Sequence, residues 1–113
     1  MPTWAPILPI LVGRDLLETG KAPEFSRVGV RPDSLETDKA LAAADWGAGV
    51  AYVSQAEKLC GAEGCRRLVG PNLPEDILAV DYGHYSVNGS VFAVKTILAP
   101  VIDAVLTGAR ERR

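Results

Sequence analysis

The sequence holds one histidine and two cysteines among 113 residues. That is too few soft ligands for a zinc centre, which takes four protein ligands, or three and a water, and nothing else calls for a cofactor. Charge of one sign is also missing. The formal net charge is −2, and the one basic cluster, Arg110, Glu111, Arg112 and Arg113, is short and mixed, so no nucleic acid is expected as a partner. No run approaches the roughly 20 uninterrupted apolar residues that cross a bilayer, so this segment is expected to make no membrane contact of its own. A signal peptide is excluded by the lack of a basic start and by Pro9 inside the apolar run from Ile7 to Val12. Internal repeats and low-complexity segments are absent.

What remains is a chain of one small domain, since about 150 residues per domain is the usual scale. Its 48% hydrophobic and 23% charged residues are those of a soluble globular protein.

Pro2, Pro6 and Pro9 predict an extended lead-in with Trp4 as an apolar anchor. A helix follows over Ile7 to Leu17, ended by Gly20. Gly20 to Asp33 reads as a surface loop with a short extended piece at Arg27 to Val30. Asp33 or Ser34 then caps a helix whose Leu35, Ala40, Leu41 and Ala44 face a core, with Trp46 and Gly47 closing it. Gly49 to Val53 and Ile77 to Val80 read as short buried strands. One helical turn spans Ser54 to Leu59, and Gly70 to Pro74 is irregular. Cys60 and Cys65 bound a short loop that a disulfide can staple in an oxidising compartment.

The last helix runs from about Val87 to Leu106, with Val94, Ile97, Leu98, Val101, Ile102 and Val105 on one face and a bend at Pro100. At roughly 1.5 to 3 kcal/mol per buried side chain, that face is expected to be a main packing element. Alternating helices and strands predict an α/β fold, a partial three-layer sandwich with a short parallel sheet. Two strands are too few for a stable sheet, so a single partial domain over residues 1–113 is expected, with an unpaired edge open to self-association.

The chemistry concentrates between Val80 and Gly89. The apolar run from Ile77 delivers Asp81, His84 follows three residues later, and Ser86 can cap the last helix. On a loop between a strand and a helix, an aspartate can fix the tautomer and orientation of a histidine that acts as general base. The same residues also fit a plainer role, with Asp81 closing a turn and His84 an ordinary polar surface group. Pro32-Asp33-Ser34-Leu35 imitates a nucleophile block, but a proline with fixed φ and no N–H cannot replace the glycine of a tight strand-to-helix turn. Ser54, Ser86 and Ser90 lack nucleophile context.

Read as a block, Leu59-Cys60, Cys65, the apolar run, Asp81-x-x-His84-x-Ser86-x-x-Gly89 and the helix ending in Leu98-Ala99-Pro100 resemble the C-terminal part of SGNH hydrolase domains. The likeness is strongest to the periplasmic SGNH domains fused to membrane acyltransferases that O-acylate bacterial surface polysaccharides. Met1-Pro2-Thr3-Trp4 through Leu8-Pro9 is similar to the proline-rich loop after an inner strand of those domains.

The resemblance implies that His84 is the base, Asp81 its partner, and Cys60–Cys65 a disulfide. It implies a carbohydrate or acyl-ester substrate, and an extracytoplasmic location if the chain belongs to a longer membrane-anchored protein; made as this piece alone, the chain would stay in the cytosol. The family's Gly-Asp-Ser nucleophile block and Gly-x-Asn-Asp oxyanion block are not in place here; Asn72 and Asn88 lie too far downstream. The expectation is therefore a C-terminal part of an SGNH-type domain without its nucleophile half, inactive alone. The alternatives are a non-catalytic accessory or carbohydrate-binding domain, or a piece completed by a partner chain.

Overall fold

Pro9 and Gly20 set the ends of the first helix. In the computed structural model, which describes residues 1–111, α1 spans Leu8–Thr19 with the proline in its first turn, where a missing N–H costs nothing. Gly20 closes it in the left-handed region, φ 75°, its N–H bonded to the Leu16 carbonyl. Leu8, Leu11 and Val12 enter the core beside Trp4, Leu59, Cys65, Leu68, Ile77, Leu78, Ala79, Ala93 and Ile97.

The expected mixture of helices and strands is present, but its sheet differs. The strands β1 (Phe25–Ser26), β2 (Cys60–Gly61) and β3 (Gly64–Arg66) form a three-stranded antiparallel sheet in the order β1-β3-β2. Among the described residues there is no parallel sheet, and so no three-layer sandwich built on one. The two runs expected to be strands do not form ladders. Residues 49–53 are irregular, with Val50 exposed.

The run Ile77 to Val80 is extended, and buried up to Ala79, but only isolated bridges, Leu68 with Ile77 and Ala79 with Tyr85, join it to its neighbours. Its backbone groups are satisfied locally instead: Leu78 N–H donates to the Arg67 carbonyl (2.8 Å) and Val80 N–H to the His84 carbonyl (2.9 Å). The expected extended piece at Arg27 to Val30 is reduced to one bridge between Val30 and Trp4.

The hairpin β2–β3 is crossed by the Cys60–Cys65 disulfide, whose two residues are direct partners in the ladder. It follows α3 (Gln55–Leu59), capped by Ser54 Oγ on the Glu57 N–H (3.0 Å). Arg66 of β3 lies between the rings of Phe25 (4.6 Å) and Phe92 (4.7 Å) and pairs with Glu24, joining the sheet to the last helix. Arg67 is fully buried, paired with Asp15 and donating to the Val28 carbonyl (2.7 Å).

The second helix, α2 (Pro32–Ala43), buries no residue. Leu35 packs partly against the core, while Ala40, Leu41 and Ala44 are exposed. The helix is held by polar ties instead. Asp38 accepts from Tyr52 Oη (2.7 Å) and Ser54 Oγ (2.6 Å), and Trp46, stacked on Tyr52, donates Nε1–H to the Leu41 carbonyl (2.8 Å). The hydrogen bond to Asp38 raises the pKa of Tyr52, with burial adding to it.

The long final helix comprises α4 (Val87–Ala93), a π-helical segment over Val94–Leu98, and α5 (Ala99–Glu111). Pro100 has no N–H to offer, and just before it the Ala99 N–H bonds the Val94 carbonyl five residues back. The expected core face is largely uncovered. Of its six apolar residues only Ile97 is buried, and Ile102 and Val105 are 53% and 64% exposed. By length and composition, Val87 to Gly108 is able to cross a membrane, although Lys95 and Asp103 interrupt it and little of it is buried. The helix stretches the molecule: the radius of gyration is 16.0 Å, against about 13 Å for a compact chain of this length. Arg112 and Arg113 of the terminal charged cluster lie outside the described residues.

Candidate active site

The loop that carries Asp81 and His84 is a closed unit. Leu78 and Ala79 are buried below it, Val80 N–H donates to the His84 carbonyl, and Ser86 N–H returns to the Leu78 carbonyl (3.0 Å). Ser86 then does two jobs. Its Oγ donates to the Ile77 carbonyl (2.6 Å) and accepts the Gly89 N–H (2.9 Å), capping α4. Gly89 permits this approach, since a Cβ there would meet the Leu78 carbonyl oxygen at 2.1 Å.

Within the loop, Asp81 uses both carboxylate oxygens. Oδ1 accepts the N–H groups of Gly83 (2.9 Å) and His84 (2.8 Å), and Oδ2 lies 2.8 Å from His84 Nδ1. These contacts lower the Asp81 pKa. The Gly83 N–H contributes most, then the His84 N–H; burial opposes them, and the imidazole adds a further lowering. A carboxylate on Nδ1 assigns the proton to that nitrogen and leaves Nε2 as the acceptor. The His84 side chain is 68% exposed and that of Asp81 37%, so the ring remains reachable from solvent.

The lead-in supports the loop from behind, which sequence reasoning did not show. Trp4 N–H donates to the Tyr82 carbonyl (2.9 Å) and Leu8 N–H to the Asp81 carbonyl (3.2 Å). Asp76 is a second unforeseen support. Buried behind the loop, it accepts the Asn72 N–H (2.8 Å) and the Asn88 side-chain amide (2.9 Å). Beside the loop lies an open groove of about 440 Å³, lined among others by Pro9, Ile77, Val80 and Val87.

The structure brings Asp81 and His84 together and supplies no serine to them. Among the described residues, no serine hydroxyl bonds His84. Ser34 Oγ donates to the Arg31 carbonyl (2.7 Å) and accepts the Thr3 N–H (3.1 Å) in the first turn of α2, whose N-cap is Arg31 rather than the expected Asp33 or Ser34, so Pro32 to Leu35 opens a helix and forms no nucleophile turn. Ser54 and Ser86 are caps. Among the described residues no group of three His, Cys, Asp or Glu side chains is placed to hold a metal.

No known family profile matches the chain, and no curated protein matches it. Among solved structures it is similar to the periplasmic domain of a lipopolysaccharide acetyltransferase from Salmonella ser. Paratyphi A, with a TM-score of 0.79 and 31% identity, over 90% of this chain and 39% of that one. The chain thus spans about two fifths of the length of the structure it matches.

Proposed function

We propose that this chain is the base-bearing part of an SGNH-type domain that makes or breaks acyl esters on carbohydrate, with His84 as general base and Asp81 as the residue that orients it. The observation that carries this reading is the 2.8 Å contact between His84 Nδ1 and Asp81 Oδ2 on a loop whose every turn is hydrogen-bonded. The likeness to an acetyltransferase periplasmic domain supports the reaction class, and the Cys60–Cys65 disulfide supports an oxidising, extracytoplasmic setting.

In this reading Nε2 of His84 accepts the proton of a serine hydroxyl as that oxygen attacks the acyl carbonyl, and returns it to the departing alcohol. Asp81, kept ionised by two backbone N–H groups, stabilises the imidazolium formed between those steps. The serine and the oxyanion donors come from polypeptide equivalent to the part of the matched domain that this chain does not cover. Each oxyanion donor is typically worth about 2.7 to 4 kcal/mol, so the chain alone is expected to hydrolyse esters negligibly.

The test is a chimera in which residues of this chain replace the matching portion of the Salmonella domain. The expected result is hydrolysis or transfer of an acetyl ester that is abolished by His84→Ala. A folded chimera without activity would overturn the reading, as would activity indifferent to His84.

A further inference from the structure

An aromatic ring that the acid–base chemistry does not use stands next to the base. The rings of Tyr82 and His84 have centroids 5.4 Å apart and planes at 78°. In an edge-to-face pair one ring offers its rim, so at least one face of the phenol is left uncovered by the imidazole. Tyr82 is 51% exposed. Its backbone is nonetheless held, because its carbonyl accepts the Trp4 N–H and the adjacent Gly83 lies against Thr3, where a Cβ would meet Cγ2 at 3.1 Å. The other two tyrosines are tied down through their hydroxyls, Tyr52 to Asp38 and Tyr85 to Gln55. Among the described residues no hydrogen bond holds the Tyr82 hydroxyl.

An exposed aromatic face on a held backbone, with a free polar tip and within one ring's distance of His84, fits a ligand that is apolar on a flat face and polar around its rim. A pyranose has that form, with axial C–H groups on one face and hydroxyls at its edge. Tyrosine also gives up little side-chain freedom on binding, having two χ angles.

We propose that Tyr82 is a sugar-contacting residue: the C–H face of a pyranose stacks on its ring, which places a rim hydroxyl or O-acyl oxygen at Nε2 of His84. This rests on the carbohydrate acyl-ester reading and names the residue that would select a ring-shaped acceptor. Tyr82 serves here by contact with the sugar and takes no part in proton transfer.

The test uses the full chain labelled with ¹³C and ¹⁵N, titrated with the methyl pyranosides of glucose, galactose, mannose and rhamnose, and with sorbitol as an open-chain polyol. At least one pyranoside is expected to shift the Tyr82 ring and His84 signals saturably, with no response to sorbitol. Tyr82→Phe should bind within about two-fold of the parent and Tyr82→Ala at least about five-fold more weakly. The imidazole ¹⁵N signals of Tyr82→Ala, which report the bond from Nδ1 to Asp81, should match the parent's. Absence of binding by all four pyranosides, or parent-like binding by Tyr82→Ala, would overturn the proposal. Altered imidazole signals in Tyr82→Ala would also overturn it, by making Tyr82 a prop for the ring. An active chimera whose sugar binding ignores Tyr82 removes this proposal alone, whereas Tyr82-dependent binding with an inactive, folded chimera removes the acyl-ester reading.

Discussion

Oδ2 of Asp81 and Nδ1 of His84 lie 2.8 Å apart, and the other oxygen of the same carboxylate already holds the N–H groups of Gly83 and His84. One side chain therefore both folds the turn and orients the imidazole.

The first prediction concerns acid. The Asp81 pKa is lowered in the folded chain, so its contribution to stability is whole above the unfolded value of about 3.9 and is lost as pH falls from there through its own lower value. A ¹³C titration of the Asp81 carboxyl should show its midpoint below those of the exposed carboxylates. Asp81→Asn should loosen the turn at neutral pH, read as faster exchange of the Gly83 and His84 amide hydrogens. A midpoint in the ordinary range would remove the two backbone donors from the account.

Ser86 links the buried run to the last helix. Ser86→Ala loses the cap on Gly89 and leaves the Ile77 carbonyl without its donor, so a loss of about 1 to 2 kcal/mol is expected in a denaturant melt. If the melt is unchanged, the hydroxyl does not anchor the helix.

The disulfide closes a loop with a sequence separation of 5. Chain-entropy reasoning for so short a loop gives about 2 kcal/mol. The native chain should titrate no free thiol, and reduction should expose two and lower stability by about that amount. Two thiols in unreduced protein purified from an oxidising compartment would contradict the hairpin as described.

Val94, Ile102 and Val105 should be replaceable by glutamate with changes within about 0.5 kcal/mol, because each is more than half exposed. The triple variant should also reduce self-association in size-exclusion chromatography, since an exposed apolar face of this length promotes it. A loss of several kcal/mol would mean that the face is packed.

Much of the local structure was legible in the sequence. The first helix with its Gly20 terminus, the helical turn after Ser54, the cap at Ser86, the Cys60–Cys65 loop and the Asp81–His84 spacing all depend on residues close together in the chain, where steric and hydrogen-bonding rules act directly, whereas the cap expected at Asp33 or Ser34 is not formed, the helix starting from Arg31. The sheet was not legible, because strands of two and three residues have no period to read. The run Ile77 to Val80 was correctly placed inside but wrongly paired: apolar composition reports burial up to Ala79 and says nothing about which backbone groups meet. The apolar face from Val94 to Val105 was read correctly as a face, yet periodicity cannot say whether anything lies on top of it. The Trp4 to Tyr82 bond joins residues distant along the chain, and Asp76 lies in the irregular run after Gly70, where no period marks which side chain turns inward.

The hydrogen bonds that shape the Asp81–His84 turn itself are made among residues 77 to 89 and the first eight residues of the chain, with Arg67 and Asp76 bracing its base. The orientation of the imidazole is thus fixed by residues of this chain alone. Under the proposed reading, whatever supplies the serine would be free to vary without disturbing the imidazole, since no contact from that side is needed to hold it in register.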